Sequence, residues 1–376
     1  MQPEHQPQAQ TGVVMQFGTS RFLQAHVDLF LHEARQAGQT VPPVVVVQTS
    51  GAADRAERVA GFGAAEGFPV LIRGLENGQP VQRRIMVQSV RQGLSTVRDW
   101  PEIRRIFVEE TGFVVSNTGD RGYAVAGPVD LTAAEPDPSF PGKLAQLLHA
   151  RWAAGRPAPV LLPCELVNGN GRILKALILD LAASADPGFL AWLREAVFAD
   201  TLVDRIVSEP IQPVGAVAEP YALWAIADEP GLTLPCTHPA IRRLASLEAP
   251  ERLKLHILNL GHTVLAGIWR DEARPEAETV REILADAGVS ARLQAIWQGE
   301  VLPGFARHGM GAEAAAYVET TMTRFLNPYL DHRLSDIASN HVDKIARRIG
   351  AYLDWAGADI PAPRLRAILA GSETAA

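Results

Sequence analysis

Three residues whose types could together do acid/base work sit on one stretch of this chain. They are Lys254, Asn259 and His262, within Glu251-Arg-Leu-Lys-Leu-His-Ile-Leu-Asn-Leu-Gly-His262. A lysine acts as general acid and base when its surroundings bring its proton affinity toward neutrality. Asparagine and histidine on the same segment add hydrogen-bonding groups that could share a site with it. On an α-helix, at about 100° per residue, Asn259 lies roughly 140° and His262 roughly 80° from Lys254. Leu253, Leu255, Ile257, Leu258, Leu260, Val264 and Leu265 are spread over every face, so the helix is expected to be buried. A buried lysine is costly unless it is paired or discharged. The plainer alternative is a lysine whose stem packs while its ammonium reaches water or a carboxylate. From the residues alone both readings stand.

Other positions could serve such chemistry. Phe17-Gly18-Thr19-Ser20-Arg21-Phe22 follows a β-prone run and opens a helical pattern, the order in which a dinucleotide-binding unit begins. Glycine lets the backbone approach a pyrophosphate, although Ser20 stands where the usual fingerprint has its second glycine, and an ordinary turn also explains Gly18. Gln48-Thr49-Ser50 ends the second apolar run without the acid that would hold the ribose of NAD, which leaves the choice between NAD and NADP open. Ser116-Asn117-Thr118 and Pro163-Cys164-Glu165 close two further strand-like runs, where ligands gather in open sheets and where polar turns are also common. Glu165 is the candidate substrate acceptor or charge partner there, whereas Cys164 reads as packing. Arg324, ahead of an Asn327-Pro328 break, could bind a carboxylate or hydroxyls bidentately, or cap a helix end. Lys344 shares a later helical stretch with Asn340 and His341 and is taken as a further substrate contact, a solvated face being the alternative. No His-Glu-x-x-His occurs, so the chemistry is expected to be metal-independent.

The elements that must position these residues change character along the chain. Continuous apolar runs such as Pro42-Pro-Val-Val-Val-Val47 suit strands buried on both faces of a parallel sheet. They alternate with helical patterns over roughly the first 200 residues, which implies an α/β fold with a mostly parallel, Rossmann-type sheet. Beyond about residue 240 only amphipathic helical patterns remain: 250–270, 276–288, 290–298, 311–326, 332–349 and 363–370. The expected organisation is a disordered lead-in over 1–11, a dinucleotide-binding domain over 12–240 and an all-helical substrate domain over 241–376. Lys254 falls close to that boundary in sequence, and domain boundaries are common places for ligands.

A length of 376 residues suits two cores, and 47% hydrophobic with 20% charged residues is ordinary for a globular protein. A formal charge of −7 argues against a nucleic-acid binder, and two cysteines are too few for a disulfide scaffold. No apolar run reaches membrane-span length, and the Gln- and Pro-rich start lacks the pattern of a signal peptide, so the cytoplasm is the expected location. The oligomeric state is left open.

Taken together these motifs resemble the mannitol dehydrogenase family, the polyol-specific long-chain dehydrogenases and reductases. The resemblance rests on Lys254-x4-Asn259-x2-His262, supported by Gln16-Phe-Gly18, Ser116-Asn-Thr118, Val203-Asp204-Arg205-Ile206 and Arg324-Phe-x-Asn327-Pro328. Pro163-Cys-Glu-Leu166 and Asn327-Pro-Tyr-Leu-Asp-His332 are most similar to the hexuronate-reductase branch, tagaturonate reductases first and fructuronate reductases next. Mannitol dehydrogenases carry Cys-Asp-Asn where this chain has Leu166 preceded by Glu165, which favours that branch.

The resemblance implies an NAD(H)-dependent reductase of a ketohexuronate, with Lys254 as acid/base, Asn259 on the reacting oxygen and His262 on a neighbouring hydroxyl. Asp204 would support the site and Arg324 would meet the substrate carboxylate or hydroxyls. A polyol or polyol-phosphate dehydrogenase is the first rival. A nicotinamide-binding relative without catalysis is the remote one, motivated by Ser20 and the shorter chain.

Overall fold

The structure, a computed structural model, describes residues 12–50, 56–76, 78–119, 122–125 and 127–373. The expected lead-in over 1–11 lies outside the described residues. The strands are Val13–Phe17 (β1), Val44–Gln48 (β2), Phe68–Glu76 (β3), Gln79–Val87 (β4), Val90–Ser95 (β5) and Thr111–Ser116 (β6). Val160–Pro163 (β7), Thr201–Asp204 (β8), Val207–Pro210 (β9), Ala216–Ala218 (β10), Leu223–Ala227 (β11) and Ile241–Leu244 (β12) complete them.

Five strands form an all-parallel sheet in the order β5-β2-β1-β6-β7. Its run of buried residues follows from the period-2 alternation of side chains. Val14, Val44, Val46, Phe113, Val115 and Leu162 enter one core, while Val13, Met15, Phe17, Val45, Val47 and Val114 enter another. Covered on both faces, the strands hold no polar alternation, which is why Val44–Val47 reads as a continuous apolar run. Strand order reverses between β1 and β6, and the carboxyl ends of that pair mark the switch point where ligands gather in such sheets.

The expectation of a mostly parallel sheet holds for these five strands. The remaining strands form two smaller sheets, β4-β3-β10-β9 and β12-β11-β8, each with an antiparallel pair.

The chain divides into two compact units, residues up to Ile72 with Arg83–Leu247, and Arg73–Gln82 with Glu248 onward. Strand structure persists to Leu244, slightly past the expected end at 240. The second unit is helical apart from the segment 73–82, which no sequence pattern set apart. Its core is built from Leu253, Ile257, Leu260, Val264, Trp297, Phe305, Phe325 and Tyr352, among others. Thr279 opens one of its helices with a capping box, its hydroxyl accepting from the Glu282 amide while Glu282 reaches back to the Thr279 amide.

Two expectations about this unit require correction. The helix expected over 332–349 is broken, since Leu334–Ile337 and His341–Ile345 are separate pieces and Asn340 between them sits at φ +51°. Lys254–Asn259 is a π-helical turn, not α-helix, and Trp297–Val301 and Ala346–Gly350 are π-helical too. Hydrophobic periodicity does not distinguish i→i+4 from i→i+5 bonding over a single turn, so the sequence pattern was blind to this. No helix among the described residues is long and apolar enough to cross a membrane.

Candidate active site

In the first unit, the chain leaves β1 at Gly18, whose φ of +116° suits glycine. A Cβ there would lie 2.5 Å from the Asn117 carbonyl oxygen, so the close approach of the two strand ends also demands glycine. Gly18 N donates to the Val47 carbonyl and Asn117 N to the Phe17 carbonyl, tying the ends of β2, β1 and β6 together. Thr19 is buried, and its carbonyl accepts from Gln24 Nε2 at 3.2 Å. The second oxygen-bearing end of that amide, Gln24 Oε1, accepts from Gly215 N at 2.8 Å. Ser20, in place of the fingerprint glycine, caps the short helix Arg21–Gln24 by accepting from Leu23 N. Phe22 stacks on His26 at 4.7 Å.

Glu165 has a different task from the substrate acceptor read from sequence. Only 5% exposed, its carboxylate accepts from Ser116 Oγ (2.9 Å), Thr118 N and Oγ1 (both 3.0 Å) and Tyr123 Oη (3.1 Å). Burial and this carboxylate together push the Tyr123 phenol up, keeping it a hydrogen-bond donor. Asn117 Nδ2 donates to the Cys164 carbonyl at 2.8 Å. Glu165 therefore fixes the Ser116–Thr118 loop, and Leu166 beside it is the exposed residue, at 74%. Burial pushes the Cys164 thiol well up, consistent with packing. Thr49, Ser50, Thr118, Gly122, Ser139 and Phe140 line a cleft of about 400 Å³.

Asp204 is buried at the end of β8, beside Arg205. The Arg205 guanidinium bonds the Ala25 carbonyl at 2.6 Å and the Glu219 carbonyl at 2.8 and 3.0 Å, steadying the helix ends that follow the Gly18 turn. Gln16, with Asp28 across from it, is fully buried.

In the second unit, the π-turn changes the geometry of the candidate triad. With about 4.4 residues per turn in place of 3.6, Asn259 moves from roughly 140° to roughly 50° from Lys254. Lys254 and Asn259 are half-buried, so the lysine is less enclosed than the apolar pattern implied. His262, one turn on, is 5% exposed; it stacks on Phe325 at 4.4 Å and meets His332 edge-on at 4.7 Å. Gly261 permits this, because a Cβ there would lie 2.7 Å from Trp297 and 3.3 Å from Phe325.

Burial drives the His262 imidazole well below its ordinary pKa, and the neighbouring basic groups His332, Arg348, Arg324 and Lys344 push the same way. The ring is therefore neutral, and its Nε2 has no hydrogen-bond partner among the described residues. It is equipped to exchange a hydrogen bond with a hydroxyl, not to act as a strong acid.

Arg324, 4% exposed at the end of the helix Gly311–Phe325, is the most enclosed cation of this group. Asn327 turns the chain after it, accepting from Tyr329 N and donating to the Arg73 carbonyl. Lys344 points its ammonium at the Ile337 carbonyl (2.8 Å) and Ser339 Oγ (3.3 Å), closing the end of a neighbouring helix. Its charge reaches His262, while those bonds give the side chain a structural task as well.

Two members of this cluster, His332 and Arg348, escaped the reading of the sequence. His332 is held by its carbonyl, which accepts from Val280 N at 2.9 Å. The Asn-Pro-Tyr-Leu-Asp-His motif contained it, but only the fold shows that the motif ends against His262.

The parallel sheet, the glycine turn at its switch point and the Lys-Asn-His helix define a class. Residues 13–234 match the family described as the mannitol dehydrogenase Rossmann domain, and residues 246–371 match the mannitol dehydrogenase C-terminal domain. The chain belongs to the mannitol dehydrogenase family and is an oxidoreductase.

Among its curated relatives are altronate oxidoreductases. That of Bacillus subtilis is 28% identical over 362 residues, covering 89% of this chain and 73% of the relative. That of Pectobacterium carotovorum is 30% identical over 371 residues, covering 89% and 72%. The fold is shared with a D-sorbitol dehydrogenase (TM-score 0.75, 20% identity, 93% of this chain and 77% of that one). It is also shared with the Pseudomonas fluorescens mannitol 2-dehydrogenase solved with NAD and D-mannitol (TM-score 0.73, 18% identity, 96% and 79%).

Proposed function

We propose that the protein is an NAD(H)-dependent reductase of a ketohexuronate, interconverting tagaturonate and altronate. The observation that carries the substrate reading is the setting of His262, whose buried Nε2 has no partner among the described residues and whose ring feels the positive charge of Arg324 and Lys344. A sugar acid would bring a carboxylate into that positive field, and a polyol brings none. The names of the curated relatives agree with an acid substrate.

The first unit supplies a fitting seat for a dinucleotide. Gly18 lets the backbone come close at the switch point, and the cleft lined by Thr49, Ser50 and Thr118 opens at the same strand ends. Phe17, Thr19, Ser20, Arg21, Phe22, Ser116 and Asn117 are the remaining proposed cofactor residues, with Glu165 and Asp204 supporting the loops. Bound NAD(H) supplies or accepts the hydride.

In the second unit, Lys254 gives a proton to the oxygen of the reduced carbonyl and removes it in the reverse direction. Asn259 holds that oxygen, and each well-aimed donor of this kind is worth about 10²–10³ in rate. Neutral His262 bonds an adjacent hydroxyl, and Arg324 binds the carboxylate.

A panel of tagaturonate, fructuronate, fructose and fructose 6-phosphate, each with NADH and NADPH, tests the reading through the nicotinamide absorbance. Tagaturonate with NADH is expected to show the highest kcat/KM. Faster turnover of fructose or its phosphate would replace this reading with the polyol one, and binding of NADH without oxidation by any member would point to a catalytically silent relative.

A further inference from the structure

A π-helical turn persists only where its surroundings hold it, because its wide i→i+5 bonding is intrinsically poor. The turn Lys254–Asn259 is held from both sides by two further π-helical turns of the same unit. From Trp297–Val301, Trp297 Nε1 donates to the Ile257 carbonyl at 3.3 Å. From Ala346–Gly350, Arg348 Nη1 donates to the Asn259 carbonyl at 3.2 Å and to Thr263 Oγ1 at 3.0 Å. Thr263 Oγ1 in turn donates to the same Asn259 carbonyl at 3.0 Å.

The connection runs back as well, since His256 Nδ1 lies 3.2 Å from the Arg348 carbonyl. Burial holds that imidazole at about 4, so it is neutral, and the Nδ1–H tautomer donates. Arg348 and His256 thus form a reciprocal pair of bonds between two π-helical turns.

We propose that Arg348 is a positioning residue for the reaction: latched with His256, it holds the π-turn in which Lys254 and Asn259 share one face. This rests on the reading that those two residues handle the reacting oxygen. In a plain α-helix they would stand roughly 140° apart, and one side chain could not serve the oxygen held by the other. Arg348 acts on the Asn259 backbone, so its loss is expected in the chemical step more than in substrate binding.

Arg348→Met and Arg348→Lys, assayed with the substrate the panel selects, test this. Arg348→Met is expected to lower kcat by about 10- to 100-fold, the scale set by misplacing a catalytic group by about 1 Å. KM should stay within about threefold, because ground-state binding is not what is lost. Arg348→Lys keeps a cationic donor and should recover most of the rate. Arg292→Met, which breaks the bond to Glu272 in the same unit and outside the three π-helical turns, controls for general loss of stability and should leave kcat unchanged.

A raised KM with unchanged kcat would overturn the proposal, since Arg348 would then be binding substrate directly. Amide hydrogen exchange over 258–264 gives a readout independent of activity. Faster exchange in Arg348→Met than in wild type supports the latch even if no panel member is turned over. Wild-type exchange together with wild-type kcat overturns it. Should Arg348→Met not fold, His256→Phe breaks the other arm and is read the same way.

Discussion

The two candidate regions are built on opposite plans. At the strand ends of the first unit, the polar groups are spent on one another: Glu165 accepts four hydrogen bonds, Gln24 bridges Thr19 to Gly215, and Gly18 packs backbone on backbone. In the second unit, His262 Nε2 is buried with no partner among the described residues, close to the charges of Arg324 and Lys344. The first region holds a shape; the second leaves a neutral, buried imidazole nitrogen with hydrogen-bonding capacity. Changes in the first should therefore register in cofactor binding, and changes in the second in turnover and substrate recognition.

The largest effect is expected at Lys254. Lys254→Ala should lower kcat by about 10²–10⁴, the usual contribution of a positioned general acid/base, as measured by steady-state kinetics. Next, Arg324→Leu should raise KM for an acid substrate by about 10- to 100-fold, corresponding to the loss of a charged hydrogen bond worth about 1.5–3 kcal/mol. The same variant should barely alter KM for an uncharged ketose, and an equal rise for both would place the arginine away from the carboxylate. In the first unit, Gly18→Val forces a Cβ onto the Asn117 carbonyl and an unfavourable φ. Fluorescence titration should show NADH affinity reduced by about tenfold or more, roughly the 1–2 kcal/mol that a strained left-handed residue costs. Unaltered affinity would remove the Gly18 turn from the cofactor seat.

The smallest effect concerns stability. Asp28 is fully buried against Gln16, and burial pushes its carboxyl up to about 8. The folded protein keeps that proton at pH values where the unfolded chain has lost it. The resulting stability is complete below the ordinary carboxylate range and drains away as pH rises through about 8. Asp28→Asn, with no proton to lose, should raise Tm at about pH 9 and leave it nearly unchanged at about pH 4. Equal shifts at both would contradict the account.

How much was legible in the sequence follows the same division. Val44–Val47 and Val13–Met15 announced the parallel sheet because strands covered on both faces favour apolar runs, with Gln16 the one polar break. Gly18 and Ser116–Thr118 were found because strand ends impose local residue choices. Glu165 was located but not understood: its four donors come from residues 42–49 positions away, and no local pattern reports them. In the helical unit, Lys254, Asn259 and His262 stood out by type, but their mutual angle was misjudged because a π-turn has the same apolar pattern as an α-turn. Arg348 and His332 were missed for a related reason: both act through contacts made by distant segments, the Asn259 carbonyl for one and the His262 ring for the other.

The division of labour between the two regions is tested most directly by titrating Lys254→Ala with NADH and following its turnover in the same preparation. The account predicts a dissociation constant for NADH within about twofold of wild type while turnover falls by about 10² or more. Near-normal turnover, or loss of NADH binding in step with turnover, would contradict it.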